Sequence, residues 1–222
     1  MQSLYKYLPE KYVESFVNKG EVLFRSLSYF RDYEDAQVRG DEFEGTRHYL
    51  PEKGLDITYV ATEEKDKLPH AFESTVHEDD IFVFCLSTVL SRDLALQFQT
   101  DACVEITNPT LFISKIRSAL LIRSWIRSKQ LLHEEVKYYK PDEPPIIDWA
   151  LPDKITISKP AQYNLQHEYR IAFAVNGAFD VYNTQTRLVV PDHRRINRST
   201  SHPQHIFKLG SLAKYCKLHR FD

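Results

Sequence analysis

The sequence predicts an α+β fold built on an irregular mixed sheet. Three observations carry that expectation. Short apolar or alternating runs of strand length recur along the chain, helices of unequal length fall between them without strict alternation, and there is no internal repeat or low-complexity tract. The chain has 222 residues, 42% of them hydrophobic and 13% aromatic, and a chain of that size buries most of its apolar surface. It reads as one domain over 1–222, with a polar excursion at about 36–80 and a basic C-terminal region at 187–222.

Taken in order, residues 3–7 read as a short strand rich in Tyr and Leu. Pro9 stands where a helix can begin, Tyr12, Phe16 and Val17 follow at helical spacing, and Gly20 is a stop just past that helix. Glu21 to Arg25 reads as a second strand, and Ser28 as the cap of a helical turn through Arg31 to Asp35. Residues 36–80 are acidic and weakly periodic. They suggest a mobile excursion or peripheral lobe over a site or partner surface, with a strand at Asp56 to Ala61. The run at 81–86 is apolar enough for a buried strand, Arg92 to Phe98 suits a short helix, and Ala102 to Thr107 alternates like a strand. Asn108-Pro109 opens the longest helix, expected to reach about Lys129 with Leu111, Ile113, Ile116, Leu120, Ile122, Trp125 and Ile126 on its apolar face. Pro141, Pro144 and Pro145 make 140–153 a turn-rich connection. Glu168 to Val175 is the clearest late strand, Asn176-Gly177 is a hairpin-type turn, and Arg187 to Val190 and His205 to Leu209 are further short strands.

Several function classes lose their support at once. With only six Gly there is no GxGxxG and no GxxxxGK[ST], so Rossmann and P-loop readings lack their main feature. No GxSxG elbow marks a hydrolase. No stretch approaches 18 apolar residues, so no membrane span is expected. The first residues carry Lys6, Glu10 and Lys11 in place of an apolar signal segment. Cys85, Cys103 and Cys216 are odd in number and far apart, which reads as reduced thiols of a cytoplasmic protein. His202 and His205 stand three apart near His193, but no Cys or paired carboxylate completes a zinc set, and no metal is expected.

Charge is uneven. Residues 31–80 hold fifteen Asp or Glu against six Lys or Arg, while residues 187–222 hold eight basic residues against two acidic ones. Arg194, Arg195, Arg198, Lys214 and Lys217 are the candidate members of a positive surface that could bind RNA or DNA through its phosphates. The plainer reading is that the two regions neutralise each other in the fold.

Four short motifs carry the chemistry: Leu4 to Tyr7, Phe24 to Asp32, Phe82 to Ser87, and Gln166 to Arg170. A carboxylate at Glu168, beginning a buried strand beside a cleft, could bond a ribose hydroxyl and face positive charge developing on the sugar as nicotinamide departs. Its plainer reading is a surface Glu paired with Arg170 or a cross-strand Lys. Ser87 ends a strand, where a hydroxyl can orient a carboxylate or simply form a turn, and Thr88 is an equal candidate. Lys6 or Arg25 could hold a pyrophosphate, Arg25 through a bidentate fork. Tyr7 or Tyr29 could stack on nicotinamide, with Phe30 beside them.

These motifs resemble a broad bacterial family whose members begin with a Tyr-Lys-Tyr strand. They continue with an aromatic-Arg/Asn-Asp segment, a Cys-Phe-Ser-like strand and a closing Glu-x-Glu-Trp-Arg strand. The counterparts here are Leu4 to Tyr7, Phe30-Arg31-Asp32, Cys85-Leu86-Ser87 and His167-Glu168-Tyr169-Arg170. That family in turn looks like the ADP-ribosyltransferase fold, including DarT-like and CmdT-like toxins. The chain departs from the pattern in a first motif that is neither Arg nor His, in Gln166 where a Glu is usual, and in lacking a Trp over Ser91 to Gln99.

The resemblance implies a split mixed sheet with flanking helices and NAD as substrate in its cleft. It implies Glu168 as catalytic acid, Ser87 as its positioning hydroxyl, and Lys6, Tyr7, Arg25, Tyr29 and Phe30 around NAD. The expected activity is ADP-ribosyl transfer by a bacterial toxin or phage-defence effector onto RNA, DNA or protein, with an antitoxin protein as a possible partner. The alternatives are a non-catalytic interaction module on the same fold, or a nucleic-acid-binding or nuclease defence protein.

Overall fold

The computed structural model describes residues 2–32, 41–190 and 201–221. In chain order its elements are β1 (Leu4–Leu8), α1 (Val13–Val17), β2 (Glu21–Ser26), α2 (Leu27–Asp32), β3 (Thr46–Tyr49), β4 (Leu55–Thr58), β5 (Lys65–Leu68) and β6 (Ala71–Thr75). There follow β7 (Ile81–Ser87), α3 (Arg92–Gln97), β8 (Ala102–Ile106), α4 (Pro109–Leu121), β9 (Leu132–Glu135), β10 (Lys137–Tyr139) and α5 (Pro152–Thr156). The last are β11 (Ser158–Pro160), β12 (Glu168–Ala174), β13 (Gln185–Val189), β14 (Gln204–Lys208) and β15 (Cys216–Arg220). The fold is α+β.

The apolar run at 81–87 becomes the organising strand of an eight-stranded sheet. One edge of β7 pairs along its whole length with β12, from Glu168 opposite Ser87 to Ala174 opposite Ile81. The other edge is shared. β2 pairs with it at Phe82 and Val83, and β1 pairs only at Ser87. Phe84, Cys85 and Leu86 lie between these two pairings, so β1 and β2 part from each other along β7. β14 lies beyond β2, β8 and β15 lie beyond β1, and β9 lies beyond β12.

Every pairing in this sheet is antiparallel, which corrects the expectation of a mixed one. The β1–α1–β2 unit could have made a parallel pair. Instead both strands run antiparallel to β7 and meet it at different points. Parallel pairing occurs between β10 and β11.

The two faces of the sheet are packed differently. On one, α1 and α4 cover a phenylalanine cluster in which Phe24 meets Phe84, Phe173 and Phe207 at ring-centroid distances of 5.0–5.8 Å. Such aromatic contacts add to the gain from burial alone. On the other face, Val76, Ile155 and Ile157 pack against Ile81, Val83, Ala172 and Ala174. Further along that face, Leu94 and Ala95 of α3 pack against Tyr7 and Cys103.

Several expectations are corrected. The helix opened by Asn108, whose side chain accepts from the Leu111 N–H at 3.0 Å, stops at Leu121 and not near Lys129. Lys129 folds back to donate to the Arg123 and Leu120 carbonyls, and Arg123 donates to the Ala119 carbonyl. The orphan C-terminal carbonyls are thus met by cations, with no further turn of helix. Ser28 lies inside α2. The Leu27 N–H at that helix's start is bonded by the Glu78 carbonyl, and the Ser28 hydroxyl by Asp79 and Ser26. The turn at Asn176-Gly177 is left-handed at both residues, but it joins no hairpin, because the next strand, β13, pairs with β6 in a separate sheet.

Of the stretch expected to be a weakly structured excursion, residues 41–80 carry four strands. β3 and β6 pair with β13, and β4 pairs with β5 over Leu55–Thr58, shorter than the strand expected at Asp56 to Ala61. β9, β10, β11, α5 and β15, all short, are further elements beyond those expected. Gly20 does end α1. Its φ is +66°, and a Cβ there would stand 2.0 Å from the Gly210 carbonyl oxygen, so only glycine fits.

Candidate functional site

A cross-strand row sets the site. Tyr5 of β1, Ser87 of β7 and Glu168 of β12 stand opposite one another across three strands. Residues in such a row face the same side. Tyr7, Cys85 and Arg170 follow on that face by alternation. The gap where β1 and β2 part opens into a cleft of about 630 Å³ lined by Lys6, Tyr7, Arg25, Tyr29 and Phe30 among others. Beside it lies a smaller cavity of about 140 Å³ lined by Lys6, Tyr7, Phe30, Ser87, Lys159 and Glu168 among others. Lys6, Tyr7, Phe30 and Cys85 belong to both walls, so the two spaces adjoin. The seven residues singled out for catalysis and NAD binding, scattered from 6 to 168 in the chain, all line one or both spaces.

Their surroundings sort them. Lys6 projects from β1 on the opposite side from Tyr5 and Tyr7 and reaches into the sheet gap. Its ammonium donates to the Cys85 carbonyl at 2.8 Å and lies 4.4 Å from the Phe84 ring centroid. Tyr7 is a packing residue. Its ring stands 5.5 Å from Phe98 and 6.1 Å from Phe221, and its hydroxyl donates to the Val89 carbonyl and accepts from the Ser91 N–H. Burial pushes its phenol up to about 12. Arg25 lays its guanidinium 4.0 Å from the Tyr29 ring centroid, and among the described residues no carboxylate pairs with it. Tyr29 meets Phe30 edge to face at 5.3 Å.

Ser87 differs from the expected role. Its hydroxyl donates to the Gln166 carbonyl at 3.0 Å and accepts from the Val89 N–H at 3.2 Å, so it ties the ends of β7 and β12 together and makes no hydrogen bond to the Glu168 carboxylate opposite it. Thr88 ties the same turn through the His167 carbonyl. His167 itself sits in the left-handed region, at φ 44°, immediately before Glu168.

Glu168 is 5% exposed, buried and not at a surface, and its plainer reading as a partner of Arg170 holds in part. Oε1 accepts from Arg170 Nε at 2.7 Å, and Oε2 lies 2.8 Å from Lys159 Nζ. Its backbone N–H donates to the Tyr138 hydroxyl at 2.9 Å. Arg170 turns its other nitrogens to Glu44, at 2.6 and 2.7 Å, and to the Thr156 carbonyl at 2.6 Å. Two carboxylates and two cations thus form a balanced buried cluster. Burial pushes the Glu168 carboxyl up, but Arg170 and Lys159 outweigh it and hold the group well below the usual carboxylate range. Burial works against the Lys159 ammonium, yet Glu168 keeps its pKa raised. Asp41 completes the surroundings. Burial, then the Glu44 charge, pushes its carboxyl up to about 7, and its Oδ2 is buried without a hydrogen-bond partner.

Lys159, Glu44 and Asp41 were not legible as site residues. Lys159 sits in a Ser-Lys-Pro strand of three residues, and Glu44 lies 126 residues from Arg170. The one available signal was the Glu168-x-Arg170 spacing, which puts both side chains on one face of a strand.

Of the candidate nucleic-acid residues, two fall among the described residues. Arg194, Arg195 and Arg198 lie outside the described residues. Lys214 and Lys217 lie beside and on β15, at one outer edge of the main sheet, with Lys217 opposite Glu105. The other basic residues of that region are elsewhere or matched by acids: Arg187 bonds Glu73 in the small sheet, Lys208 is 3.8 Å from Glu21, and Arg220 is 2.7 Å from Glu10. No helix among the described residues is long and apolar enough to cross a membrane. Compared with models of protein families, with curated proteins and with solved structures, the chain returns no match.

Proposed function

We propose that the chain is an NAD-dependent ADP-ribosyltransferase, acting in the cytoplasm as a toxin or phage-defence effector on RNA, DNA or protein. The observation that carries the reading is convergence. Lys6, Tyr7, Arg25, Tyr29, Phe30, Ser87 and Glu168, chosen from motif order alone, line two adjoining spaces at the point where the sheet parts.

The chemistry of the walls suits a dinucleotide. The larger space, about 630 Å³, falls in the range of small-molecule sites. It offers the Arg25 guanidinium and the Tyr29 ring, a fork for phosphate oxygens beside a flat surface for a ring. Between Arg25 and Lys6, the reading favours Arg25 for the pyrophosphate, because Lys6 already bonds the Cys85 carbonyl. Tyr29 is favoured over Tyr7 as stacking residue, because Tyr7 is fixed between Phe98 and Phe221. NAD would supply the ribose carbon and the nicotinamide leaving group. Glu168 would present a fixed anion to positive charge developing on the sugar, in a cavity where such a contact counts for more than in water. Ser87 would act indirectly, by holding the turn from which Glu168 projects.

One observation favours a second reading, a non-catalytic binding module with the same cleft. Both Glu168 oxygens are already engaged by cations. Incubating the purified chain with labelled NAD and total cell RNA, DNA and protein separates the two. Label on any acceptor, or released nicotinamide, supports transfer. NAD binding without turnover supports the module, and absence of NAD binding removes both.

A further inference from the structure

Resting on the NAD reading, we propose that Lys159 is a ligand-contacting residue of the small cavity, donating a hydrogen bond to a neutral oxygen on the nicotinamide riboside half of the substrate. Lys159 lies outside the four sequence motifs, and its ammonium has more donors than the protein around it takes up. An ammonium carries three N–H groups. One is directed to Glu168 Oε2 at 2.8 Å and a second to Gln166 Oε1 at 3.0 Å. The remaining anion within reach, Glu44 Oε2, is 3.8 Å away, beyond hydrogen-bond distance. The Tyr163 ring, 5.4 Å from Nζ, takes no conventional bond. Lys159 is only 4% exposed, yet it forms part of the cavity wall with Ser87 and Glu168. Its third donor therefore has an open space beside it and no acceptor among the described residues.

The charge around it selects the acceptor. Glu168 and Glu44 balance Lys159 and Arg170, so the cluster carries no surplus positive charge for a phosphate. A phosphate here would also stand against two buried carboxylates. A hydroxyl or amide oxygen brings no charge and leaves the Lys159–Glu168 pair intact. The phosphates belong instead with Arg25 in the larger space.

The test is calorimetric titration of NAD and of ADP into the full chain and its variants. ADP keeps the phosphates and the adenosine but lacks the nicotinamide riboside. Lys159→Met is expected to weaken NAD binding about tenfold, the scale of one well-placed hydrogen bond from a charged group, and to leave ADP binding within about twofold. If Lys159→Met does not fold, Glu168→Gln is compared with the Lys159→Met/Glu168→Gln pair, which removes both charges together. The added Lys159 change should again weaken NAD about tenfold and spare ADP. Wild type that binds NAD, with variants that bind it equally well or lose NAD and ADP alike, overturns the assignment and leaves the NAD reading standing. Wild type that binds no NAD overturns both.

Discussion

The ammonium of Lys159 lies 2.8 Å from Oε2 of Glu168, buried beside the small cavity. With Arg170 on the other oxygen, the carboxylate is fixed and neutralised by the protein itself. A buried pair of this kind does not by itself add net stability, because desolvation offsets the attraction. It does fix geometry. Removing one member leaves the rest of the cluster unbalanced, which makes Glu168 a residue of the fold as well as of the site.

Glu168→Gln should therefore have two effects. Transfer should fall by about 100-fold or more, the scale of losing one focused electrostatic contact. Stability should also fall, by about 3 kcal/mol, because Lys159 and Arg170 lose a buried counter-charge. Urea denaturation measures the second effect and labelled transfer the first, at a temperature where the variant is folded. Near wild-type transfer from a folded variant would remove Glu168 as the catalytic acid.

Asp41 gives the chain a distinctive pH response. Its folded-state pKa of about 7 lies above the ordinary aspartate value, so the folded state prefers it protonated. The resulting stabilisation is fully present below about pH 4 and is lost as pH rises through about 7, with a span on the order of 4 kcal/mol. Asp41→Asn keeps the neutral form at every pH. Relative to wild type, the variant should gain stability steadily from pH 4 to 7 and no further above that. Glu168, held below the usual range by Arg170 and Lys159 against the effect of burial, loses its contribution only at more acidic pH and does not mask the trend. A constant difference between the two proteins across pH 4–8 would show that Asp41 ionises normally.

The strands with strong apolar content were legible because burial on both sides leaves a continuous hydrophobic run, as at Ile81 to Leu86 and Tyr169 to Ala174. Short edge strands such as Lys137–Tyr139 and Cys216–Arg220 were not, because pairing with a distant partner, and not their own pattern, makes them strands. The end of α4 depended on Lys129 reaching back to carbonyls six and nine residues earlier, which no local pattern encodes. For the site, the positions of Ser87 and Glu168 at strand ends could be read, and the strands placed them opposite each other. Lys159 and Glu44 could not be read, since each becomes part of the cluster only through contacts across the fold.

Ser87→Ala separates a positioning role from a structural one. The hydroxyl serves the Gln166 carbonyl and the Val89 N–H, both backbone groups at the turn. Losing it should cost about 1–2 kcal/mol of stability. Because no bond runs from Ser87 to Glu168, turnover at saturating NAD should fall only a few-fold. A loss as large as that of Glu168→Gln, with stability unchanged, would mean that the hydroxyl meets the substrate directly.

Arg25 offers the clearest separation of binding from chemistry. Its guanidinium lies over Tyr29 in the larger space, with no carboxylate partner among the described residues, so a phosphate there would meet an uncompensated cation. Arg25→Ala should weaken NAD binding by about tenfold or more, and ADP binding equally, since both carry the pyrophosphate. Arg25→Lys should recover only part of the loss, because a lysine keeps the charge but not the planar fork or the stacking on Tyr29. The wild-type affinity should fall as salt is raised from low to physiological ionic strength, and that dependence should flatten in Arg25→Ala, as removal of a phosphate-pairing charge requires. Folding should be little changed, because Arg25 is only half-buried on β2 and its contact is with one ring. Titration of NAD and ADP at two salt concentrations decides the matter. Unchanged affinity for both ligands in Arg25→Ala would place the pyrophosphate elsewhere in the cleft and return Lys6 as its partner.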